Sequence, residues 1–215
     1  MNIEEYSYSN FLKKGDVVYD IGAHIGERSI FFHKAGAKKI YGFEPVPFNF
    51  EQLKQNVSIY KNIEIFDIAL HEKEYECATE FRHCNPLIPA LQKDNIKYEI
   101  LENFINKNNI DLPDFLKFDI EGMESLVLKT CNFLFENKRP VFYVEIHVAE
   151  KNDPQSYENC PHWKTPQDGG FNFNDLKSYN YKIMHQDHGI LNASIDWNPV
   201  PVQHKGLILI PQELL

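Results

Sequence analysis

Val17-Val18-Tyr19-Asp20-Ile21-Gly22-Ala23-His24-Ile25-Gly26 is the stretch whose reading decides the fold. Its β-branched and aromatic opening predicts a buried parallel strand that ends at Asp20. Two glycines follow, and then an apolar helical pattern begins. Strand, glycine-rich turn and helix start form a nucleotide-sized cradle, because glycine admits a ligand close to the backbone and the first amides of a helix point outward. The sign of this cradle is unusual. A dinucleotide-binding turn begins with glycine, so that a pyrophosphate can lie on bare backbone. Here Asp20 holds that position, and a carboxylate repels a pyrophosphate. An acid there suits a ligand with a positive ammonium end, as S-adenosylmethionine has.

Working outward, Lys39-Ile40-Tyr41-Gly42-Phe43-Glu44-Pro45 reads as the next strand, with Glu44 at its carboxyl end. An acid about 20 residues beyond the glycine turn is placed to accept hydrogen bonds from ribose hydroxyls. Either acid alone reads as an ordinary residue ending a strand; the pair at this spacing favours a cofactor. Between the two strands, Ile25, Ser29, Phe32 and Gly36 mark a helix that Gly36 stops. Pro45 and Pro47 start a second helix with an apolar stripe of Phe50, Leu53 and Val57, read as core. A third strand is expected over residues 63–70, which would put Asp67 and Ala69 at the rim where an adenine lies. Asp67 suits either an adenine amino group or solvent.

The three strands alternate with two helices, the doubly wound α/β pattern. Residues 71–98 give less: a charged turn, an edge strand near 77–81, then a proline-broken surface loop. Glu99 to Asn109 reads as a helix. The second informative stretch is Phe115-Leu116-Lys117-Phe118-Asp119-Ile120-Glu121-Gly122-Met123-Glu124, a fourth strand ending in Asp119, a tight turn and a helix buried through Met123, Val127, Cys131 and Leu134. Val141 to His147 is a fifth strand. Asp119, Glu145 and His147 then converge on the carboxyl edge of adjacent strands, where open α/β sheets bind ligands. Tyr181 to His185 and Leu207 to Ile210 are expected as the sixth and seventh strands. Residues 148–172 and 186–204, which carry Trp163 and Trp197, read as substrate loops. His185 and His188 form a lone HxxH outside a helix, a weak metal signal.

At 215 residues, 43% hydrophobic and 25% charged, the chain fits a single globular domain over 1–215, with residues 1–14 as a lead-in packing on the sheet edge or on a partner. A net charge of −9 argues against nucleic acid or an anionic membrane as the main partner. The four cysteines form no CxxC pair, which argues against a zinc knuckle and suits reduced thiols in the cytoplasm. No apolar run approaches the roughly 18 residues of a membrane span, and no signal peptide is recognised.

Asp20-x-Gly22-Ala23-x-x-Gly26, Phe43-Glu44-Pro45, Asp119-x-Glu121-Gly122 and Glu145-Ile146-His147, four motifs in order, resemble the FkbM family of S-adenosylmethionine-dependent methyltransferases. The resemblance implies the class I methyltransferase sandwich: a seven-stranded, mostly parallel sheet whose last strand, here Leu207 to Ile210, runs antiparallel. It implies cofactor contacts from Asp20, Gly22, His24 and Gly26 near the methionine and turn, with Glu44 at the ribose; Ala23, Asp67, Ala69 and Asp119 are the further cofactor-binding candidates. His24 replaces the family's more usual asparagine and still donates one hydrogen bond. It also implies methylation of a hydroxyl on a sugar, polyketide or related small molecule. Enzymes that methylate exocyclic or amide nitrogens commonly carry Asn/Asp-Pro-Pro-aromatic where this chain has Asp119-Ile120-Glu121-Gly122.

A hydroxyl must lose its proton as it attacks a methyl group. A general base can take it, with His147 first and Asp119 and Glu121 beside it as candidate catalytic groups. Alternatively, Mn²⁺ or Mg²⁺ held by Asp119, Glu145 and His147 lowers the hydroxyl's pKa. In a third reading Glu145 and His147 only pair with a neighbouring helix. A sugar or glycan hydroxyl is the favoured acceptor, with Trp163 and Trp197 either stacking on it or anchoring their loops. A homodimer, or one module of a larger glycan-building enzyme, is the assembly considered. Two rivals stand beside this reading. One is a nicotinamide-dependent oxidoreductase, which tight NAD binding would revive; the other is a non-catalytic binding module, which would hold the cofactor without transferring methyl.

Overall fold

The computed structural model describes residues 2–80, 93–146, 169–185, 189–191 and 205–215. In chain order the elements are α1 (Ile3–Phe11), β1 (Val17–Ile21), α2 (Glu27–Lys34), β2 (Lys39–Phe43), α3 (Pro47–Val57) and β3 (Ile63–Phe66). Then come β4 (Ala69–Leu70), β5 (Tyr75–Glu80), β6 (Lys93–Glu99), α4 (Leu101–Asn108), β7 (Phe115–Phe118) and α5 (Glu124–Leu128). The chain closes with β8 (Val141–Ile146), β9 (Tyr181–His185), β10 (Gly189–Leu191) and β11 (Lys205–Pro211).

The main sheet runs β3-β2-β1-β7-β8-β11-β9-β10. From β3 to β8 the pairs are parallel; β11 lies antiparallel to both β8 and β9, as expected for Leu207 to Ile210. All seven strands numbered from the sequence contribute to this sheet, the third only over Ile63–Phe66. The expected edge strand near 77–81 is β5, which pairs with β6 instead, and β10 adds a three-residue strand at the edge of the main sheet. The chain leaves β1 towards β2 on one side and returns as β7 on the other. Open α/β sheets bind ligands at such a switch point, outside the carboxyl ends of the strands, here β1 and β7.

Side-chain alternation explains the layering. Val17, Tyr19 and Ile21 of β1 join the core beneath α4 and α5, with Phe104, Val127 and Phe142. Val18 faces the other way, with Phe32 of α2, Phe115 and Tyr8 of α1. Leu53 and Val57 of α3 pack on Ala23. Phe50, read as core, is only partly buried and lines a cavity described below.

Two stretches depart from the expected pattern. The lead-in is helix α1, capped by a reciprocal Asn2–Glu5 box, with Glu4 bonded to Arg28 of α2. It lies on β11 and β8 because Gly206 leaves room: a Cβ there would stand 2.4 Å from Ile3 Cγ2. The expected third strand, 63–70, is cut after Phe66. β4 turns away into a second sheet, β4-β6-β5, and β6 had not been anticipated.

Candidate active site

β1 delivers Asp20 to the switch point, fully buried. Its Oδ2 accepts a hydrogen bond from the Ser29 hydroxyl at 2.6 Å, one helical turn into α2. Its Oδ1 faces the Lys117 ammonium at 3.4 Å and has no hydrogen-bond partner of good geometry. Asp20 and Lys117 are register partners across β1 and β7. Lys117 Nζ also donates to the Gly22 carbonyl at 3.1 Å and lies 3.2 Å from Asp119 Oδ2. The ammonium thus sits directly under the glycine turn, between the tips of two strands.

Burial would lower the Lys117 pKa, but attraction to Asp20 and Asp119 outweighs it and holds the ammonium above its ordinary value. Burial pushes the Asp20 carboxyl up, and Lys117 and the Ser29 hydroxyl pull against that shift. We read the two as a charged pair, because each has its counter-ion and a hydrogen bond close by.

Gly22 adopts φ +82°, and a Cβ on it would stand 1.8 Å from the Asp119 carbonyl oxygen. Only glycine lets the turn lie this close to the end of β7. Gly26 is similarly constrained, at φ +94° and against Leu53. His24 takes a left-handed conformation, φ +50°, where asparagine is more at ease.

The amides of the turn itself are largely used within the protein. Gly22 and Ala23 both donate to the Phe43 carbonyl, Gly26 donates to Ala23, and the His24 amide donates to Glu44 Oε2 at 2.9 Å. Such a turn has few amides left for a pyrophosphate. Glu44 is itself buried at the tip of β2, its Oε1 accepting from the Val46 amide and from Asn49. Burial raises its pKa, opposed by those hydrogen bonds.

Past Glu44, a cavity of about 280 Å³ opens between the start of α3 and the second sheet, lined among others by Pro45, Phe50, Asp67 and Asn95. Asp67 therefore stands on its rim. Ala69 is half-buried in β4, paired with Tyr98 in the second sheet.

On the other flank of the turn, the Asp119 side chain is 31% exposed, enough to meet a ligand. Glu121 and Gly122 both take positive φ, 55° and 101°, so the chain reverses sharply after Asp119. The buried Glu124 carboxylate holds this reversal by accepting from the Ile120 and Gly122 amides at 3.0 and 3.3 Å. Glu121 is exposed and Glu145 half-buried. His147, Trp163 and Trp197 lie outside the described residues. Among the described residues, no group of three His, Cys, Asp or Glu side chains is gathered to hold a metal ion. Lys117, Ser29 and Glu124 join the site through the structure and are not among the candidates that the sequence offers.

A mostly parallel sandwich with its acids at the β1/β7 switch point and antiparallel closing strands has the architecture of the class I methyltransferases. The FkbM methyltransferase domain matches residues 20–183, and the chain belongs to that family. Among solved structures it is similar to the FkbM methyltransferase of Methylobacillus flagellatus KT, with TM-score 0.55 and 19% identity over 91% of this chain and 43% of that one. This chain therefore spans less than half of that protein. It is also similar in fold to an rRNA methylase of Streptococcus thermophilus, with TM-score 0.51 and 12% identity over 97% of this chain and 94% of that one. A Streptococcus mutans protein assigned as a methyltransferase and solved with SAH gives TM-score 0.51 and 12% identity over 96% of both chains. No curated protein matches the sequence. No helix among the described residues is long and apolar enough to cross a membrane.

Proposed function

We propose that the chain is an S-adenosylmethionine-dependent O-methyltransferase acting on a hydroxyl of a sugar, glycan or related small molecule. The observation that carries this reading is the pair of acids flanking the glycine turn: Glu44 on one side, fixed by two backbone amides, and the partly exposed Asp119 on the other. The residues fit the cofactor. Glu44 would accept from ribose hydroxyls, with the cavity at Asp67 taking the adenine. Gly22, Ala23, His24 and Gly26 would shape the turn beside Asp119, where the methionine end would lie, with the buried Asp20–Lys117 pair beneath them. When bound, S-adenosylmethionine supplies a methyl group activated by its sulfonium.

The protein's remaining task is to orient a hydroxyl and take its proton. Asp119 and Glu121 would accept hydrogen bonds from a hydroxylated acceptor, and His147, next in sequence after β8, is the proposed base. The excess of acid in the chain disfavours nucleic acid as acceptor. NAD fits poorly, since the amides of the turn itself are spent within the protein.

Isothermal titration with S-adenosylmethionine tests the cofactor, followed by a screen of methyl glycosides for methyl transfer. Micromolar binding is expected, and absence of binding removes the reading. Affinity is expected to weaken on acidification, starting above the ordinary glutamate value of 4.5, because burial raises the Glu44 pKa and its acceptor charge is lost sooner than in an exposed acid. The Glu44→Gln protein should bind more weakly and show a flatter profile over the same range.

A divalent cation at Asp119 would share its carboxylate with an ammonium 3.2 Å away. We therefore favour the metal-free route over Asp119, Glu145 and His147 as ligands. Mn²⁺ titrated into the protein is expected to bind no more tightly than about 1 mM, in the weak range for a partly neutralised carboxylate site. Micromolar binding abolished by Asp119→Asn would restore the metal.

A further inference from the structure

The candidate site stands at the carboxyl ends of the parallel strands; their amino ends carry a cluster of positive charge. Three turns meet there and are joined by hydrogen bonds. Before β1, the Gly15 amide donates to the Gly36 carbonyl at 2.9 Å, and the Lys38 amide donates to the Asp16 carbonyl at 2.8 Å. Before β3, the Asn62 side chain donates to the Ala37 carbonyl at 2.9 Å, and Tyr60 packs on His33 with ring centroids 4.6 Å apart. Lys14 lays its stem across Gly36, where an added Cβ would stand 3.1 Å from Lys14 Cγ. These contacts bring Lys13, Lys14, Lys34, Lys38 and Lys61, all exposed, onto one end of the sheet.

Acids answer part of this charge. Lys38 pairs with Asp111 at 3.8 Å, Lys39 beside it pairs with Glu64 at 2.6 Å, and the Asp16 carboxylate accepts from the Lys13 amide at 2.7 Å. Among the described residues, Lys14, Lys34 and Lys61 have no ion-pair partner. Two large apolar side chains stand exposed among them. Ile59, two residues before Lys61, is 77% exposed, and Phe31, one helical turn before Lys34, is 42% exposed.

We propose that this end of the sheet docks on an anionic lipid bilayer, its lysines at the headgroup phosphates and Ile59 and Phe31 at the acyl boundary. Lysine charge interleaved with exposed apolar side chains is what such a surface attracts. The chain's net charge of −9 would repel the bilayer if it acted as a whole. Salt, however, screens charges beyond about 8 Å at physiological ionic strength. The acids at the far ends of the five-residue strands β1 and β2 lie about 16 Å away, so the lysines set the local sign. Nucleic acid fits less well. Lysine lacks the planar fork that arginine offers a phosphate, and Ile59, the most exposed apolar group here, has no ring for a base to stack on. Docking in this way leaves the carboxyl ends of the strands turned away from lipid.

Sedimentation with vesicles tests the proposal and is independent of the cofactor reading, using about one-third phosphatidylglycerol in phosphatidylcholine against phosphatidylcholine alone. The protein should bind the anionic vesicles, ignore the neutral ones and be released as ionic strength rises from about 0.1 M to about 1 M. Lys14→Gln/Lys34→Gln/Lys61→Gln is expected to weaken binding about hundredfold, at roughly fivefold per lysine. Ile59→Ser should weaken it about tenfold through lost apolar burial, with release by salt unchanged. Both proteins should keep the wild-type melting temperature, since every substituted side chain is exposed and outside any ion pair. Wild-type protein that stays in solution with anionic vesicles overturns the proposal, as does equal binding by the triple variant. Patch-dependent binding of an RNA duplex with vesicles untouched overturns it in favour of nucleic acid. Patch-dependent self-association without vesicle binding overturns it in favour of a second copy of the chain.

Discussion

Gly22→Ala is expected to lower the melting temperature by about 10 °C and to abolish S-adenosylmethionine binding. The new Cβ would stand 1.8 Å from the Asp119 carbonyl oxygen and 2.8 Å from its carbon. These are backbone atoms of the neighbouring strand end, so no side-chain rotation relieves the clash, and β1 and β7 must part where the site is built. Overpacking of this kind costs about 1–3 kcal/mol, and an alanine at φ +82° adds about 1–2 kcal/mol of left-handed strain. At roughly 2–4 °C per kcal/mol for a chain of this size, the sum is a loss near 10 °C. Thermal denaturation and titration calorimetry check the two halves separately. Gly15→Ala is the control: it also has positive φ, at +95°, but a Cβ there meets nothing within 4 Å. It should carry the strain alone and leave binding intact. A Gly22→Ala protein with near-native stability and affinity would show that the close approach to β7 is dispensable.

The same contact shows what the sequence made legible. Strand, glycine and acid could be read at β1, β2 and β7 because each strand is a short apolar run ended by a charged residue, and that pattern is local. The second sheet was less legible. Asp67 and Ile68 interrupt what reads as one β-rich run, and nothing local says that Ala69 will pair with Tyr98 rather than continue beside β2. Helix α1 offered little apolar periodicity; its one local signal was the Asn2–Glu5 spacing of its capping box.

The residues missed in the site are those whose meaning depends on a distant partner. Lys117 lies inside a run of apolar residues, and a lysine in a buried strand demands counter-charges. Asp119 was near enough in sequence to suggest itself as one. The other, Asp20, lies 97 residues away and becomes visible only once β1 and β7 are paired. Glu124 shows no task in the sequence, since the two amides it accepts from are open donors only once Glu121 and Gly122 adopt successive positive φ values. Legibility from sequence ended where long-range register began. Asp20, assigned to the cofactor's ammonium end, is placed by the structure under the turn as half of an ion pair.

That placement changes what Asp20→Ala should do. Were Asp20 a surface ligand, the substitution would weaken cofactor binding and leave the fold untouched. Because it is fully buried and paired with Lys117, removing it leaves an ammonium in the interior with one carboxylate instead of two and removes the acceptor of the Ser29 hydroxyl. Breaking a buried pair by deleting one partner costs about 3–5 kcal/mol, so the melting temperature is expected to fall by about 10 °C. Loss of binding in this variant therefore says little until stability is measured beside it. The discriminating comparison is with Asp20→Asn, which keeps the shape and an oxygen for Ser29 while removing the charge, and with Asp20→Asn/Lys117→Met, which removes both charges. Stability should rise from Asp20→Ala to Asp20→Asn and again to the double variant, because replacing a complete buried ion pair is far milder than orphaning half of one. Equal stability in Asp20→Ala and wild type would mean that the Asp20–Lys117 pair contributes nothing to holding β1 against β7, and Asp20 would return to the role of a direct ligand.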